Sequence, residues 1–373
     1  MVDSSRQGVS SREKTIEQAL AEFTESRSKG KLPGNYAVEV DRVVGNWAQW
    51  CEKQGVSKIG AVDAWLLRKW IQHLRHRVNN EKITGQTAHQ YFALVRAFLS
   101  YCEEWEWIAV NPADQDRVSN ELPDESRGDG TKPQTWSESE RTQLLRFVDA
   151  RAHEAIDQNG SDAVTQCRDR ALVYLLAFTG ARCAELVHDS NDDRRRGIYW
   201  GDIDYESRTI TVLGKDQQRE EVQFPEIAHS AVQRYETVLE PPTDDWPVFP
   251  TSHAPSLYKT ARETITDDLD GRDAMTVLQE TETPPPSIST TAVRNILKTL
   301  CEEGNIDVEG DHEYLKPHGA RRGLGKQLYK DSAFEYAQKA LRHSDPETTS
   351  EMYADIEAGE VAEVTDDVFE DGV

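Results

Sequence analysis

Within residues 315–356, LKPHGARRGLGKQLYKDSAFEYAQKALRHSDPETTSEMYADI, stand two histidines, an arginine and a tyrosine of types that handle an anion. His318 and Arg321 are three residues apart, directly after Pro317. Proline suits the first turn of a helix, and residues three apart share a helix face. His343 lies in the short Arg-His-Ser-Asp-Pro turn, and Tyr353 lies in a polar segment with a helical pattern. Two imidazoles, a guanidinium and a phenol without a nearby carboxylate cluster suit an anion better than a metal ion. Taken alone, they equally make a satisfied core histidine, surface arginines and a half-buried tyrosine.

A second stretch lies far upstream, TGARCAEL over residues 179–186. Arg182 follows the apolar run ALVYLLAF and a glycine turn, at the lip of a core where rigid structure holds charge in place. Glu185, three residues on, is placed to orient that guanidinium. Lys215 tops the turn GKDQQ between two strand-like runs. A lone turn lysine is ordinarily only a solubility residue.

The elements that position these residues follow from periodicity. Apolar spacing of three and four predicts helices from Thr15 to near Gly30, over 35–54, 62–77 and 84–105, a small bundle without strand signal. Its less acidic face carries Arg68, Lys69, Arg75, Arg77 and Lys82, then Gln86, His89 and Arg96, a set equally suited to phosphate and groove contact or to plain solvation. Residues 111–135 carry Pro, Gly, Asp and Ser without apolar period and read as a linker. Ser137 and Glu140 mark a helix start, and a further helix covers 162–179. Strands are predicted over 199–202, 209–213 and 220–224. Helices follow over 227–239 and 289–303, with 261–286 an acidic, flexible excursion. The polar insertion at 189–196 has no assignable role.

At 373 residues the chain has room for two domains. No apolar run approaches the roughly 18 residues of a membrane span, and the N-terminus lacks a signal-peptide core. Five cysteines without CxxC spacing point to reduced thiols in a cytoplasmic protein. Against 43 Lys and Arg stand 67 Asp and Glu, a net charge of −24. That balance opposes a nucleic-acid partner unless the acids lie away from a local basic surface or the protein works in concentrated salt. Near 1 M salt the Debye length is about 3 Å, which mutes remote repulsion. The even spread of acids points to a halophilic source.

Four stretches in order, TGARCAEL, WGDIDYESRTITVLGK, KPHGARRGLG and LRHSDPETTSEMY, resemble the tyrosine recombinase family, the phage-integrase and Xer-type enzymes. The likeness covers most of the chain, because the N-terminal bundle is similar to that family's core-binding domain. It implies a helical, SAM-like core-binding bundle followed by a mixed, mainly α catalytic domain with a small three-stranded antiparallel sheet. The expected division is a loose N-terminus (1–14), a DNA-binding bundle (15–110), a linker (111–135), a catalytic domain (136–356) and an acidic tail (357–373). The resemblance makes Arg182 and Arg321 the arginines on the scissile phosphate and Lys215 the donor to the leaving 5′ oxygen. It makes His318 the proton carrier on the nucleophile's side, His343 a further phosphate contact, Tyr353 the nucleophile of a 3′-phosphotyrosyl link and Glu185 a support. It implies double-stranded DNA as partner, a tetramer on paired sites, and no metal, cofactor or membrane. A haloarchaeon, its virus or its plasmid is the expected source. A cleavage-deficient DNA-binding or architectural protein, or a type IB topoisomerase-like relaxing enzyme, are the rival readings. Two departures stand out: the His343–Tyr353 spacing is one residue longer than usual, and Arg322 stands where relatives often have His.

Overall fold

The computed structural model describes residues 14–28, 30–125, 133–214, 217–264, 269, 271–331 and 334–342. The chain separates into two compact units, Met1–Gly130 with Asn191–Arg194, and Thr131–Ser190 with Arg195–Val373.

The first unit is helical among its described residues. α1 (Ile16–Arg27), α2 (Asn35–Lys53), α3 (Ala64–Asn79) and α4 (Gly85–Glu104) each turn one apolar stripe inward. Trp47, Phe23, Phe98, Leu67 and Ile71 meet at the centre, essentially without solvent contact. Thr15 and Gln18 form a capping box on α1, while Asp63 and Thr84 cap α3 and α4 through their side chains. The stretch read as a bare linker begins with structure: Asn111 caps a 3₁₀ turn at Pro112–Asp114, and α5 (Asp116–Ser119) buries Val118. Asn191–Arg194, from the polar insertion, belong with this unit. Gly34 N–H donates to Asn191 O at 2.8 Å, and Asn191 Nδ2 donates to Asn35 Oδ1 at 2.8 Å.

The second unit is built around α7 (Val164–Phe178), which buries Ala171 to Ala177 in one run and packs against α6 (Glu138–Asn159), α9 (Glu226–Leu239) and α13 (Pro317–Asp331). Ser137 and Glu140 cap α6 reciprocally. The sheet runs β1 (Ile203–Asp204), β2 (Thr209–Leu213), β3 (Arg219–Gln223), antiparallel throughout. Ile210, Val212 and Val222 face the core, in the alternation of a half-buried sheet.

Three expectations shift. Residues 199–202 do not form the first strand. Asp202 takes the Tyr199 N–H, and the N–H groups of Trp200 and Gly201 go to the carbonyls of Trp246 and Asp244, so a 3₁₀ turn (Trp200–Asp202) precedes a two-residue β1. The third strand starts one residue earlier than its apolar pattern. The acidic excursion expected over 261–286 contains the helix α11 (Ala274–Glu280) and begins within α10 (Ala254–Thr264); the two bury Leu257, Ala261, Val277 and Leu278. α8 (Cys183–Leu186), α12 (Thr290–Glu303) and α14 (Phe334–Leu341) complete the described elements. None of the described helices is long and apolar enough to cross a membrane.

Candidate active site

Arg182 is the N-cap of α8, reached from α7 through Thr179 and Gly180. The Thr179 hydroxyl donates to Leu175 O at 2.6 Å and accepts from the Ala181 N–H at 3.2 Å, closing the helix end. Gly180 then takes φ +69°, and a Cβ there would lie 2.6 Å from the Ala340 carbonyl oxygen. Only glycine suits both the left-handed backbone and that approach. Beyond the turn, the Arg182 backbone N–H donates to Glu185 Oε2 at 2.7 Å and its Nη1 to Oε1 at 2.9 Å. The Glu185 side chain is wholly out of solvent, whereas a third of the Arg182 side chain is exposed.

α13 supplies the second group. Its N-terminus is held by residues 134–136: the Trp136 N–H donates to Gly319 O at 3.0 Å, Trp136 Nε1 to Lys316 O at 2.9 Å and Gln134 Nε2 to Tyr314 O at 2.9 Å. Gly319 and Gly323, one turn apart, let the helix lie directly on Trp136; a Cβ at Gly323 would sit 2.5 Å from the Trp136 carbonyl oxygen. This seating orients His318 and Arg321. Arg321 is 3% exposed and donates from Nη1 to Gly180 O and from Nη2 to Leu341 O. It therefore ties the turn before Arg182 to the end of α14. Arg322 Nη1 reaches Gln134 O at 3.4 Å.

His318 feels all three guanidiniums. Desolvation and the charges of Arg322, Arg321 and Arg182 hold its imidazole down at about 4. The residue as a whole is exposed, so water moderates the desolvation and the like charges are the firmer cause of the direction. Near neutral pH the ring is uncharged, able to accept a proton. The site thus concentrates cationic donors around one neutral base, an arrangement for an anion that develops charge. Among the described residues no group of three or more His, Cys, Asp or Glu is disposed to hold a metal ion.

Lys215, His343 and Tyr353 lie outside the described residues. Two further residues, neither given a firm role by the sequence, frame their positions in the chain. Arg342, directly before His343, donates to Glu185 Oε2 and Glu220 Oε2. Arg195, at the neck of the polar insertion, donates to Leu213 O at 3.0 Å and Gly214 O at 2.8 Å, the last two carbonyls before Lys215. Neither carries a local signal, because each finds its partners far away in sequence.

In the first unit, Arg68, Arg75, Lys82, Gln86 and Arg96 are exposed, and Lys69, Arg77 and His89 half-buried. Several of these side chains already face acids or aromatic rings. Arg68 pairs with Glu121 at 2.7 Å, Arg96 with Asp114 at 2.5 Å and His89 with Glu125 at 3.1 Å, while the Lys69 ammonium lies 3.6 Å over Trp65. Gln86, His89, Gln90 and Arg96 line a cavity of about 730 Å³ beside Asn120 and Glu125.

Residues 146–360 match the phage integrase family. The chain belongs to that family, and so to the site-specific tyrosine recombinases, enzymes of DNA strand transfer. It is 22% identical over 326 residues to the tyrosine recombinase XerC of Xylella fastidiosa, covering 87% of each chain. Over a shorter span it is 38% identical to XerC of Corynebacterium glutamicum (183 residues, 49% of this chain and 45% of the relative). The fold is similar to that of the Tn1549 transposon integrase in complex with circular intermediate DNA, at 15% identity and TM-score 0.57 over 94% of this chain and 99% of the other. It is likewise similar to the XerH recombinase bound to palindromic difH substrate, at 14% identity and TM-score 0.57 over 94% of each.

Proposed function

We propose that the chain cuts and rejoins duplex DNA through Tyr353, with Arg182 and Arg321 on the scissile phosphate. The Tyr353 oxygen attacks phosphorus, the bond to the 5′ oxygen breaks, and the Lys215 ammonium protonates that leaving oxygen. His318, neutral near pH 7, takes up the phenolic proton, and His343 adds a phosphate contact. A phenol with an ordinary pKa near 10 needs such a base or cationic neighbours to attack at neutral pH. Charge growing on the non-bridging oxygens is met by fixed guanidinium donors. The phosphodiester energy stays in the tyrosyl ester, so rejoining by a 5′ hydroxyl requires no nucleotide.

The observation that carries this reading is the convergence of Arg182, His318 and Arg321. Arg321 bonds the carbonyl of Gly180, 141 residues away in sequence, two residues before Arg182. In the proposal the first unit contributes Arg75, Lys82 and Gln86, together with Arg68, Lys69, Arg77, His89 and Arg96 once their partners within the unit yield to phosphate. Protomers assemble in this proposal as a tetramer on paired sites. The net charge of −24 supports a halophilic source and work in concentrated salt.

The test uses suicide duplexes tiled across the DNA that flanks the coding sequence, quenched with SDS. Wild type is expected to leave a covalent protein–DNA band and Tyr353→Phe none. A band that survives Tyr353→Phe removes Tyr353 as nucleophile. Tight, site-specific binding without any band at any salt concentration overturns cleavage altogether.

A further inference from the structure

We infer that Arg342 is a positioning residue for strand cleavage, clamping the point where the chain leaves α14 toward His343 and Tyr353. The inference rests on the reading of Tyr353 as nucleophile. Its basis is the set of contacts around one guanidinium. Arg342 Nη2 donates to Glu185 and Nη1 to Glu220, and the side chain is only 13% exposed. Glu185 is the carboxylate that also holds Arg182 through two hydrogen bonds. The preceding carbonyl, Leu341 O, accepts from Arg321. Two consecutive residues at the end of α14 are therefore tied, one directly and one through Glu185, to both arginines proposed for the phosphate.

The second carboxylate extends the clamp to the hairpin. Glu220 sits on β3 opposite Val212, and its carboxylate packs against Gly214, where a Cβ would collide with it. Lys215 is the next residue. One side chain thus joins the arginine turn, the exit of α14 and the base of the lysine hairpin.

The backbone argues that the side chain is what matters here. Arg342 adopts φ +50°, a left-handed conformation in which glycine rests without strain and an L side chain rarely does. A bulky residue held there is over-determined by its surroundings. With both terminal nitrogens directed to carboxylates, the guanidinium serves as a clamp rather than as a third phosphate ligand. Placement of this kind matters because attack requires near-contact alignment, and about 1 Å of misplacement costs on the order of 100-fold in rate.

The experiment measures covalent-complex formation by the full chain at saturating suicide duplex, beside equilibrium binding of the same duplex and thermal unfolding. The duplex is one already shown to trap wild type and to spare Tyr353→Phe, so failure of the cleavage reading shows before any Arg342 variant is made. Arg342→Gly relieves the backbone and removes the clamp. It is expected to slow trapping by about 10- to 100-fold while binding stays within about twofold. Arg342→Lys, able to reach one carboxylate, is expected to recover part of the rate. Glu220→Gln is expected to slow trapping in the same direction, and the Arg342→Gly/Glu220→Gln pair to be no slower than Arg342→Gly alone. Trapping at the wild-type rate in Arg342→Gly overturns the inference. A loss of duplex binding that matches the loss of rate also overturns it, assigning Arg342 to the DNA. So does equal impairment of the Gly and Lys variants in step with lowered melting, which marks a purely structural role. Should Arg342→Gly not fold, Glu220→Gln decides by the same readouts: slowed trapping with unchanged binding supports the clamp, and wild-type trapping overturns it.

Discussion

Arg182 holds Glu185 by two hydrogen bonds, from its backbone N–H and from its guanidinium, and the carboxylate they share has no solvent contact. The pair fixes the arginine's direction before any DNA arrives, and Arg342 completes the neutralisation. Removing Glu185 leaves two guanidiniums facing a buried void. Glu185→Ala is expected to lower unfolding free energy by about 3–5 kcal/mol, read by urea denaturation. Unchanged stability would show the ion pairs to be incidental.

Arg182 itself, a third exposed, is the arginine proposed to meet the scissile phosphate. Arg182→Ala is expected to reduce covalent trapping by about 100- to 1000-fold, equivalent to roughly 3–4 kcal/mol of lost charge stabilisation. Filter binding of the same duplex should change far less, and an equal loss in both assays would assign Arg182 to docking instead.

Arg321 differs in kind, because two of its donors close on backbone carbonyls. A lysine there presents one point charge and cannot bridge Gly180 O and Leu341 O. Arg321→Lys should therefore lose stability, by about 1–3 kcal/mol for the unsatisfied carbonyls, as well as activity. A melting curve that matches wild type would contradict the bridging role.

His318 gives a pH signature. Its imidazole is held down at about 4 by desolvation and by Arg322, Arg321 and Arg182. As pH falls from about 6.5 toward about 4, the unfolded chain takes up a proton that the folded protein refuses. Its contribution to stability is therefore full above about pH 6.5, falls through that window and levels off below it. NMR titration of the His318 ring should show a midpoint below 6.5 in the free protein. The midpoint should move upward when duplex DNA places a phosphate beside it; a midpoint at or above 6.5 in the free protein would refute the description of the site.

The charge balance predicts that trapping rises with KCl into the molar range, where the Debye length shrinks to about 3 Å. Highest activity in dilute salt would count against a halophilic source.

How legible was this site beforehand? His318 and Arg321 were readable because both effects are local: Pro317 starts the helix, and three-residue spacing puts the two on one face. The Arg182–Glu185 pair was readable for the same reason. Arg342 was not, since its carboxylates stand 157 and 122 residues away and nothing in the run Leu-Arg-His announces them. The backbone bonds of Arg321 were equally hidden, because a guanidinium signals charge in a sequence but not the carbonyls it will find. α10 escaped notice because only Leu257 and Ala261 turn inward among polar neighbours. Ile203 was missed as the start of β1 because Asp202 captures the Tyr199 N–H and curls the preceding residues into a turn. For the two arginines, contacts made only after folding outweighed the local pattern.

The grip of Arg195 on the carbonyls of Leu213 and Gly214 bears on how this chain can vary. The insertion is pinched shut at its base, where the Asp189 N–H meets Arg195 O at 2.9 Å and His188 pairs with Arg196. Lengthening or trimming the segment beyond that pinch leaves the hairpin's anchorage where it is, whereas a deletion that takes Arg195 sets the lysine-bearing turn adrift. Variation in this loop is thus restrained twice, at its base by the hairpin and over Asn191–Arg194 by the hydrogen bonds to Gly34 and Asn35.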